Sequence, residues 1–170
     1  MKKLFTLIIC LFTAILIAAE RSPEWEKLRN SHVKKEGVCQ ICGSHSDLQV
    51  HHIKPFKLWP EKELDPENLI TVCRSKRMGF DCHLAVAHGG NFRYYNPYIL
   101  EDIATIRDIL KAHGILNPEQ MEGKYTMECQ SEIEQHLKVI KKETKAFNIC
   151  VDKKMKEGIS PDEACESCKR

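Results

Sequence analysis

The chain has 170 residues, with 26 Lys and Arg, 24 Asp and Glu, and a formal net charge of +2. This length suits one ordinary domain with an appendage, and the near balance of charge gives little support to a uniformly basic, nucleic-acid-binding surface. Any phosphate-binding surface must therefore come from the local placement of a few side chains and from a bound cation.

Residues 1–19 have the pattern of an export signal. A basic start that includes Lys2 precedes the apolar run 4–17, and Ala19 ends a pair of small residues suited to cleavage. Cleavage would leave 24 basic against 24 acidic side chains. Because the apolar run is shorter than the roughly 20 residues of a comfortable transmembrane helix, we expect an exported protein, periplasmic or secreted, without a stable membrane partner. An uncleaved membrane anchor is the alternative.

The following segments predict a mixture of helix and strand. Residues 22–37 have a helical pattern, with proline in the first turn and glycine at the end. A cysteine-containing turn and a strand over 48–53 come next, followed by a loop with three prolines. The short apolar segment 69–73 and a short helix over 81–90, ended by two glycines, complete this region.

From residue 99 the pattern becomes helical. Apolar residues at helical spacing predict a helix that stops near Gly114; they are Ile99, Ile103, Ile106 and Leu110. A charged helix is predicted over 118–146, and a third begins at the capping box of Ser160. We therefore predict an α+β fold, with a small core over 20–100 followed by a helical C-terminal segment over 101–170.

Eight cysteines outside the export signal form two groups of four. The first group comprises Cys39, Cys42, Cys73 and Cys82. A C-x2-C turn presents two thiolates to one tetrahedral metal, and the two pairs bracket the predicted strand. A structural zinc would join both halves of a region with little apolar content, contributing on the order of 10 kcal/mol. Two disulfides are the alternative for this group.

The second group lies in the helical segment and comprises Cys129, Cys150, Cys165 and Cys168. In an oxidising compartment, two disulfides that join the helices are the first expectation. A bond between Cys165 and Cys168 would strain one helical turn, which favours bridges from Cys129 or Cys150 to each of them. A second four-cysteine zinc site is the alternative.

Side chains suited to metal binding and proton transfer lie between the cysteine pairs. His51 and His52 are adjacent on the predicted strand, Asn68 follows the loop, and His83 comes directly after Cys82. Neighbouring side chains on a strand point to opposite faces. Two adjacent histidines therefore suit two tasks, one on a metal and one on a proton.

The segments VCQICGSHSDLQVHHIKPF, ELDPENLITVC and DCHLAVAHGGNFRYYNP together resemble the HNH endonucleases, over about residues 23–98. The resemblance implies a ββα-metal core, in which a β-hairpin packs on a helix around one divalent cation, either Mg, Mn, Ni or Zn. It implies that His52 is the general base and that Asn68 fixes the loop and orients this base. It also implies that His51 and His83 are metal ligands and that the substrate is nucleic acid, with DNA expected.

His88 departs from the pattern of this family. In many members a third ligand lies one helical turn after the ligand that follows the cysteine, and that position is Ala87 here. His88 is one residue further on, so it reaches the same metal only if the helix widens before Gly89. On this condition we expect His88 to be a metal ligand or a phosphate contact.

Together these features predict an exported, metal-dependent endonuclease that hydrolyses phosphodiester bonds. The sequence also permits two other interpretations. One is a zinc-containing module of the same fold that binds nucleic acid without cutting it, although such a module has no need for a general base. The other is an exported interaction protein whose cysteines form disulfides rather than a zinc site.

Overall fold

The computed structural model describes residues 20–115, 117 and 125–169, so the predicted export signal lies outside the described residues. The main elements are α1 (Trp25–Glu36), β1 (Leu48–His52), β2 (Leu69–Cys73), a π-helical turn (His83–Ala87), α2 (Ile99–Ala112), α3 (Met127–Lys156) and α4 (Pro161–Cys168). Two 3-10 turns, Pro60–Lys62 and Pro66–Asn68, connect the strands. The predicted α+β class, with a small two-stranded sheet followed by helices, is confirmed.

The two strands pair antiparallel, with Leu48 opposite Cys73 and His52 opposite Leu69. All five residues of β2 are buried, as expected for the uninterrupted apolar sequence LITVC. Two residues that precede β1 in the sequence form hydrogen bonds with Thr71 of β2. The Thr71 carbonyl accepts from Gln40 N at 2.8 Å, and the Thr71 N–H donates to Glu36 Oε2 at 2.7 Å. These contacts fix the cysteine turn and the end of α1 against the sheet.

The main core lies between β2, the first four cysteines, α2 and the N-terminal half of α3. Its fully buried members include Val72, Val86, Ile99, Ile106 and Ile133. The apolar face predicted for α2 is the face that packs here. This core extends across residue 100, so the described parts of the predicted core region and the C-terminal segment pack as neighbours.

A second apolar cluster joins α4 to the C-terminal half of α3 and to the loops around the sheet. It contains Trp59, Tyr95, Phe147, Val151, Ala164 and Cys165. Trp59 Nε1 donates to Asp162 Oδ1 at 2.9 Å, which ties the loop between the strands to the first turn of α4. The C-terminal helices therefore contact the loop between the strands and the loop after the π-helical turn rather than forming a detached appendage.

The long helix α3 extends further than the sequence pattern predicted. It begins at Met127, where the Thr126 hydroxyl accepts from Cys129 N, and it ends at Lys156. The predicted end at residue 146 was wrong because the chain contains no Gly or Pro between residues 146 and 158 that could end the helix earlier. Residues 118–124, in the predicted first turns, lie outside the described residues. None of the helices among the described residues has the length and apolar character needed to cross a membrane.

Candidate active site

The first four cysteines converge in the core. One sulfur from each of Cys39, Cys42, Cys73 and Cys82 lies within 4.8 Å of the other three, and all four residues are buried free thiols. Cys42 Sγ and Cys73 Sγ are 3.5 Å apart. Two thiolates on one zinc ion lie about 3.8 Å apart when each Zn–S bond is about 2.3 Å, whereas disulfide sulfurs lie about 2.05 Å apart. The geometry fits a metal site and not a pair of disulfides.

Local backbone structure explains how these thiols meet. The cysteine turn closes with a 2.8 Å bond from Gly43 N to Cys39 O, and Gly43 adopts a φ of +66° that favours glycine. Cys73 ends β2, and Cys82 directly precedes the π-helical turn. Hydrogen bonds from the neighbouring thiols hold the pKa of Cys39 far below its usual value, and the bond from Cys42 has the largest effect. The same contacts raise the pKa of Cys73 and Cys82. The four thiols therefore favour one shared thiolate, and a bound metal ion would be needed to hold all four as thiolates.

Three histidines form a second cluster. Ring nitrogens of His51, His83 and His88 lie within 4.8 Å of one another, and His83 Nε2 is 3.2 Å from His88 Nε2. Two nitrogens on one ion at about 2.1 Å would be about 3.0 Å apart in octahedral and about 3.4 Å apart in tetrahedral geometry. Among the described residues, His51 Nε2 is buried and has no hydrogen-bond partner. These donors fit a shared divalent cation.

The π-helical turn is the reason that His83 and His88 share one side. In an α-helix, residues five apart differ in direction by about 140°, but a π turn closes i→i+5 hydrogen bonds, which bring residues five apart closer to one side of the helix. The widened turn continues to Gly90, whose N–H donates to Leu84 O at 2.8 Å. The widening on which the expectation for His88 depended is therefore present, and position 87, a buried alanine, is not needed as a ligand.

A polar network supports the end of this widened turn. Asn96 Nδ2 donates to Val86 O at 3.0 Å and to Asp102 Oδ2 at 2.6 Å, and Asn96 N donates to Ala87 O. Asp102 Oδ1 in turn lies 3.0 Å from His136 Nε2 of α3. The network satisfies carbonyl groups that regular helical bonding leaves free in a π turn. No sequence pattern indicated it, since these residues are far apart and belong to no shared motif.

The electrostatic environment keeps the three clustered histidines neutral. Burial lowers the pKa of His51 well below its usual value, and the nearby His88 and His83 lower it further. Burial, and to a smaller extent the nearby His88, lower the pKa of His83 to about 4. Burial also lowers the pKa of His88, although the bond to Tyr94 O opposes this effect. Neutral imidazole is the form that coordinates a metal ion.

His52 has a different environment, as expected for the opposite face of β1. Its Nε2–H donates to the carbonyl oxygen of Glu63 at 3.0 Å, because a carbonyl can only accept. In the neutral ring Nδ1 therefore carries the free lone pair. The ring stacks on Trp25 with 4.4 Å between centroids and 26° between planes. Burial lowers the pKa of His52, and the bond to Glu63 opposes this shift.

Asn68 holds the loop that provides the Glu63 carbonyl. Its Nδ2 donates to the carbonyls of Lys54 and Lys62, each at 3.0 Å, and its Oδ1 accepts from Lys54 N at 2.7 Å. Lys62 directly precedes Glu63, so these bonds fix the backbone beside the acceptor of His52. Among the described residues, the hydrogen bonds of Asn68 thus reach the backbone beside Glu63 and not the His52 ring.

An aromatic and a cationic side chain lie at the mouth of the histidine cluster. Phe92 is 51% exposed, and its ring centroid lies 5.0 Å from that of His88 and 5.6 Å from that of His83. The guanidinium of Arg74 lies 5.7 Å from the Phe92 centroid, while its Nε contacts Asp81 Oδ2 at 3.3 Å. A ligand that reaches the histidines therefore meets an exposed ring and a positive charge.

The second cysteine group contains one disulfide, Cys150–Cys168, whereas Cys129 and Cys165 are buried free thiols. The expectation of two disulfides was wrong for the latter pair. Cys129 lies 21 residues before Cys150 on α3, which at 1.5 Å per residue is about 30 Å along the helix. It therefore cannot reach α4, and Cys165 Sγ instead lies 2.8 Å from the Tyr95 hydroxyl.

A protein-family model described as HNH endonuclease matches residues 39–86. No curated protein and no solved structure matches the chain. The matched segment includes the four clustered cysteines and His51, His52, Asn68 and His83, and it stops two residues before His88. Over this segment the resemblance to the HNH endonucleases is confirmed. This match over residues 39–86 supports a nuclease-type function in general.

Proposed function

We propose that the protein is a metal-dependent endonuclease that hydrolyses phosphodiester bonds in nucleic acid, with DNA as the expected substrate. The observation that carries the proposal is the convergence of His51, His83 and His88 on one point, with His52 directly after His51 on β1. The three histidines are the metal ligands in this proposal, and His52 is the general base.

The donor set of the histidine cluster fits a divalent transition ion. Imidazole nitrogen suits Zn²⁺ and Ni²⁺ better than Mg²⁺ and Mn²⁺, which prefer oxygen ligands, so Zn²⁺ and Ni²⁺ are the stronger candidates for this site. When bound, such an ion supplies positive charge to a non-bridging phosphate oxygen and to the departing 3′ oxygen. The burial of His51 keeps water from competing for its nitrogen.

His52 is proposed to remove a proton from the attacking water. Its Nε2–H is held by Glu63 O, so Nδ1 is the nitrogen that accepts this proton. The charge that then develops on the ring is favoured by the same carbonyl, because the N–H bond strengthens as the imidazole becomes cationic. A general base in this position contributes typically about 10²–10⁴-fold to the rate, and Asn68 keeps its acceptor in place through the Lys62 carbonyl.

The four-cysteine cluster is proposed to hold a structural zinc. It joins the cysteine turn, the end of β2 and the start of the π-helical turn, which carries His83 directly after Cys82. One ion would therefore fix the register of the segment that presents a catalytic ligand. The free, buried state of all four thiols argues against the alternative in which they form disulfides.

Contacts to the substrate are proposed at the mouth of the histidine cluster. Arg74 is exposed enough to contact a phosphate, and Phe92 offers an accessible face on which a base can stack. Export is also part of the proposal, because the Cys150–Cys168 disulfide is typical of an oxidising compartment. The proposal retains residues 1–19 as the export signal.

Cleavage of supercoiled plasmid DNA tests this function. The purified protein is incubated with plasmid and Mg²⁺, Mn²⁺, Ni²⁺ or Zn²⁺, or without added ion, beside H52A and a control variant, H45A, which changes an exposed histidine. We expect ion-dependent nicking by the wild type and H45A, and nicking reduced by about 10²–10⁴-fold in H52A. Binding of plasmid without cleavage under every condition would overturn the proposal and support a binding module; cleavage of RNA alone would replace DNA as the substrate.

A further inference from the structure

A hydrogen-bond chain connects the histidine cluster to α3, outside the segment matched by the family model. His88 Nδ1–H donates to Tyr94 O at 2.5 Å. The next residue, Tyr95, donates its backbone N–H to Asn148 Oδ1 at 3.2 Å. The Tyr94 carbonyl and the Tyr95 N–H belong to the same planar peptide group. One peptide therefore accepts from the ring of His88 on one side and donates to Asn148 on the other.

The orientation of the Asn148 amide is fixed by its other bonds. Its Nδ2 donates to Tyr95 O at 2.9 Å and to Thr144 O at 2.7 Å, and the side chain is buried. A reversed amide would place its oxygen against two carbonyl oxygens and its NH2 against an N–H. Asn148 is thus held as an acceptor for Tyr95 N and clamps both backbone groups of Tyr95.

This chain determines which nitrogen His88 can offer to a cation. Because Nδ1 carries the proton that bonds to Tyr94 O, the lone pair of the neutral ring is on Nε2, the atom that lies 3.2 Å from His83 Nε2. A hydrogen-bonded peptide is also polarised, which makes its carbonyl a better acceptor and the imidazole more basic. By contrast, His83 Nδ1 is buried without a hydrogen-bond partner among the described residues.

Packing at the adjacent glycine holds the same two segments together. A Cβ on Gly89 would lie 2.6 Å from Thr144 Cβ, so the backbone directly after His88 is in close contact with α3 one helical turn before Asn148. The position of His88 is therefore defined by α3 at two points. Neither point is part of the cysteine cluster or of the sheet that presents His51.

We propose that Asn148 is a positioning residue of the metal centre, which sets the tautomer and orientation of His88 through the Tyr94–Tyr95 peptide. The inference rests on the proposed function, in that it requires a divalent ion at the three histidines. It makes the C-terminal helical segment a working part of the nuclease site rather than a separate unit. Asn148 acts through His88 and contacts neither the ion nor the substrate.

Cobalt binding to the zinc-loaded protein tests this role without measuring cleavage. Co²⁺ is added to the wild type, N148A, N148D and V151A, and visible absorption reports binding, with the absence of thiolate-to-cobalt bands showing that the four-cysteine zinc stays in place. Val151 is buried on the same helix and makes no hydrogen bond to Tyr95 in the structure, so V151A is a matched control for lost stability.

We expect N148A to weaken Co²⁺ binding about tenfold, the lower end of the effect of residues that orient a metal-binding histidine. V151A should bind like the wild type although its thermal unfolding temperature falls. N148D, whose second carboxylate oxygen would face the carbonyls of Tyr95 and Thr144, should bind no more tightly than N148A. Equal Co²⁺ affinities of N148A, V151A and the wild type would overturn the inference. Absence of histidine-bound Co²⁺ in the wild type would instead overturn the proposed metal centre itself.

Discussion

Replacement of Gly89 by alanine tests the contact between the histidine-bearing turn and α3. Gly89 has a φ of +55°, in the left-handed region, and an added Cβ would lie 2.6, 2.8 and 2.9 Å from three side-chain atoms of Thr144. Thr144 is 1% exposed and has a short, branched side chain, so it cannot move away without a shift of α3. The substitution therefore combines backbone strain with overpacking.

The backbone strain and the overpacking each lower the free energy of unfolding, and their costs can be estimated separately. The left-handed conformation costs a residue with a Cβ about 1–2 kcal/mol, and overpacking of a filled site costs about 1–3 kcal/mol. We expect G89A to lower the free energy of unfolding by about 2–5 kcal/mol. Gly37 provides the control, since it has a φ of +70° and nothing within 4 Å of an added Cβ. G37A should therefore show the strain alone, about 1–2 kcal/mol.

Urea unfolding followed by circular dichroism measures both variants, and a double variant isolates the contact. Removing the Thr144 side chain in T144G takes away all three close atoms, so in that background the cost of G89A should fall to that of G37A. If G89A costs no more than G37A in the wild-type background, α3 does not pack against this turn as described. The same result would remove one of the two contacts by which α3 positions His88.

Three further variants test the site and the packing of α4. H52A should reduce plasmid cleavage by about 10²–10⁴-fold with the zinc content unchanged, and wild-type activity would show that His52 is not the base. C39S should lose zinc and helical signal together, because one ligand of the site that joins both halves is missing; a zinc-loaded variant with unchanged melting would remove the structural zinc. C150S/C168S should have a free energy of unfolding that is lower by about 3 kcal/mol, because the unfolded chain regains the closure entropy of a loop of this size. This variant should also become sensitive to proteolysis at α4 while keeping its zinc. Unchanged protease resistance would show that packing alone holds α4 in place.

Much of the fold and the site was predictable because it depends on short-range patterns. The cysteine turn, the strand with two histidines and the apolar β2 each follow from local residue types, and their order carries the resemblance to the HNH endonucleases. His51 joins the histidine cluster and His52 stacks on Trp25, because neighbouring side chains of a strand point to opposite faces. The location of His83 beside the cysteine cluster was predictable because it directly follows Cys82.

Other features depend on contacts that a linear sequence does not reveal. The widening at His88 was stated only as a condition, since a π turn has no residue signature and is stabilised here by Asn96 and by α3. Asn148 lies 60 residues after His88, and its role arises from packing. The pairing of Cys150 with Cys168, to the exclusion of Cys129, follows from the length of α3, whose end was placed ten residues too early.

In the proposed function, the three clustered histidines bind one divalent ion that is required for cleavage. The most direct measurement is plasmid nicking by protein that retains its four-cysteine zinc but lacks any other ion, before and after addition of one divalent ion. We predict no nicking before addition, nicking by the wild type after it, and none by H51A, which removes the buried ligand of β1. Full nicking without the second ion, or equal nicking by H51A and the wild type, would contradict the account.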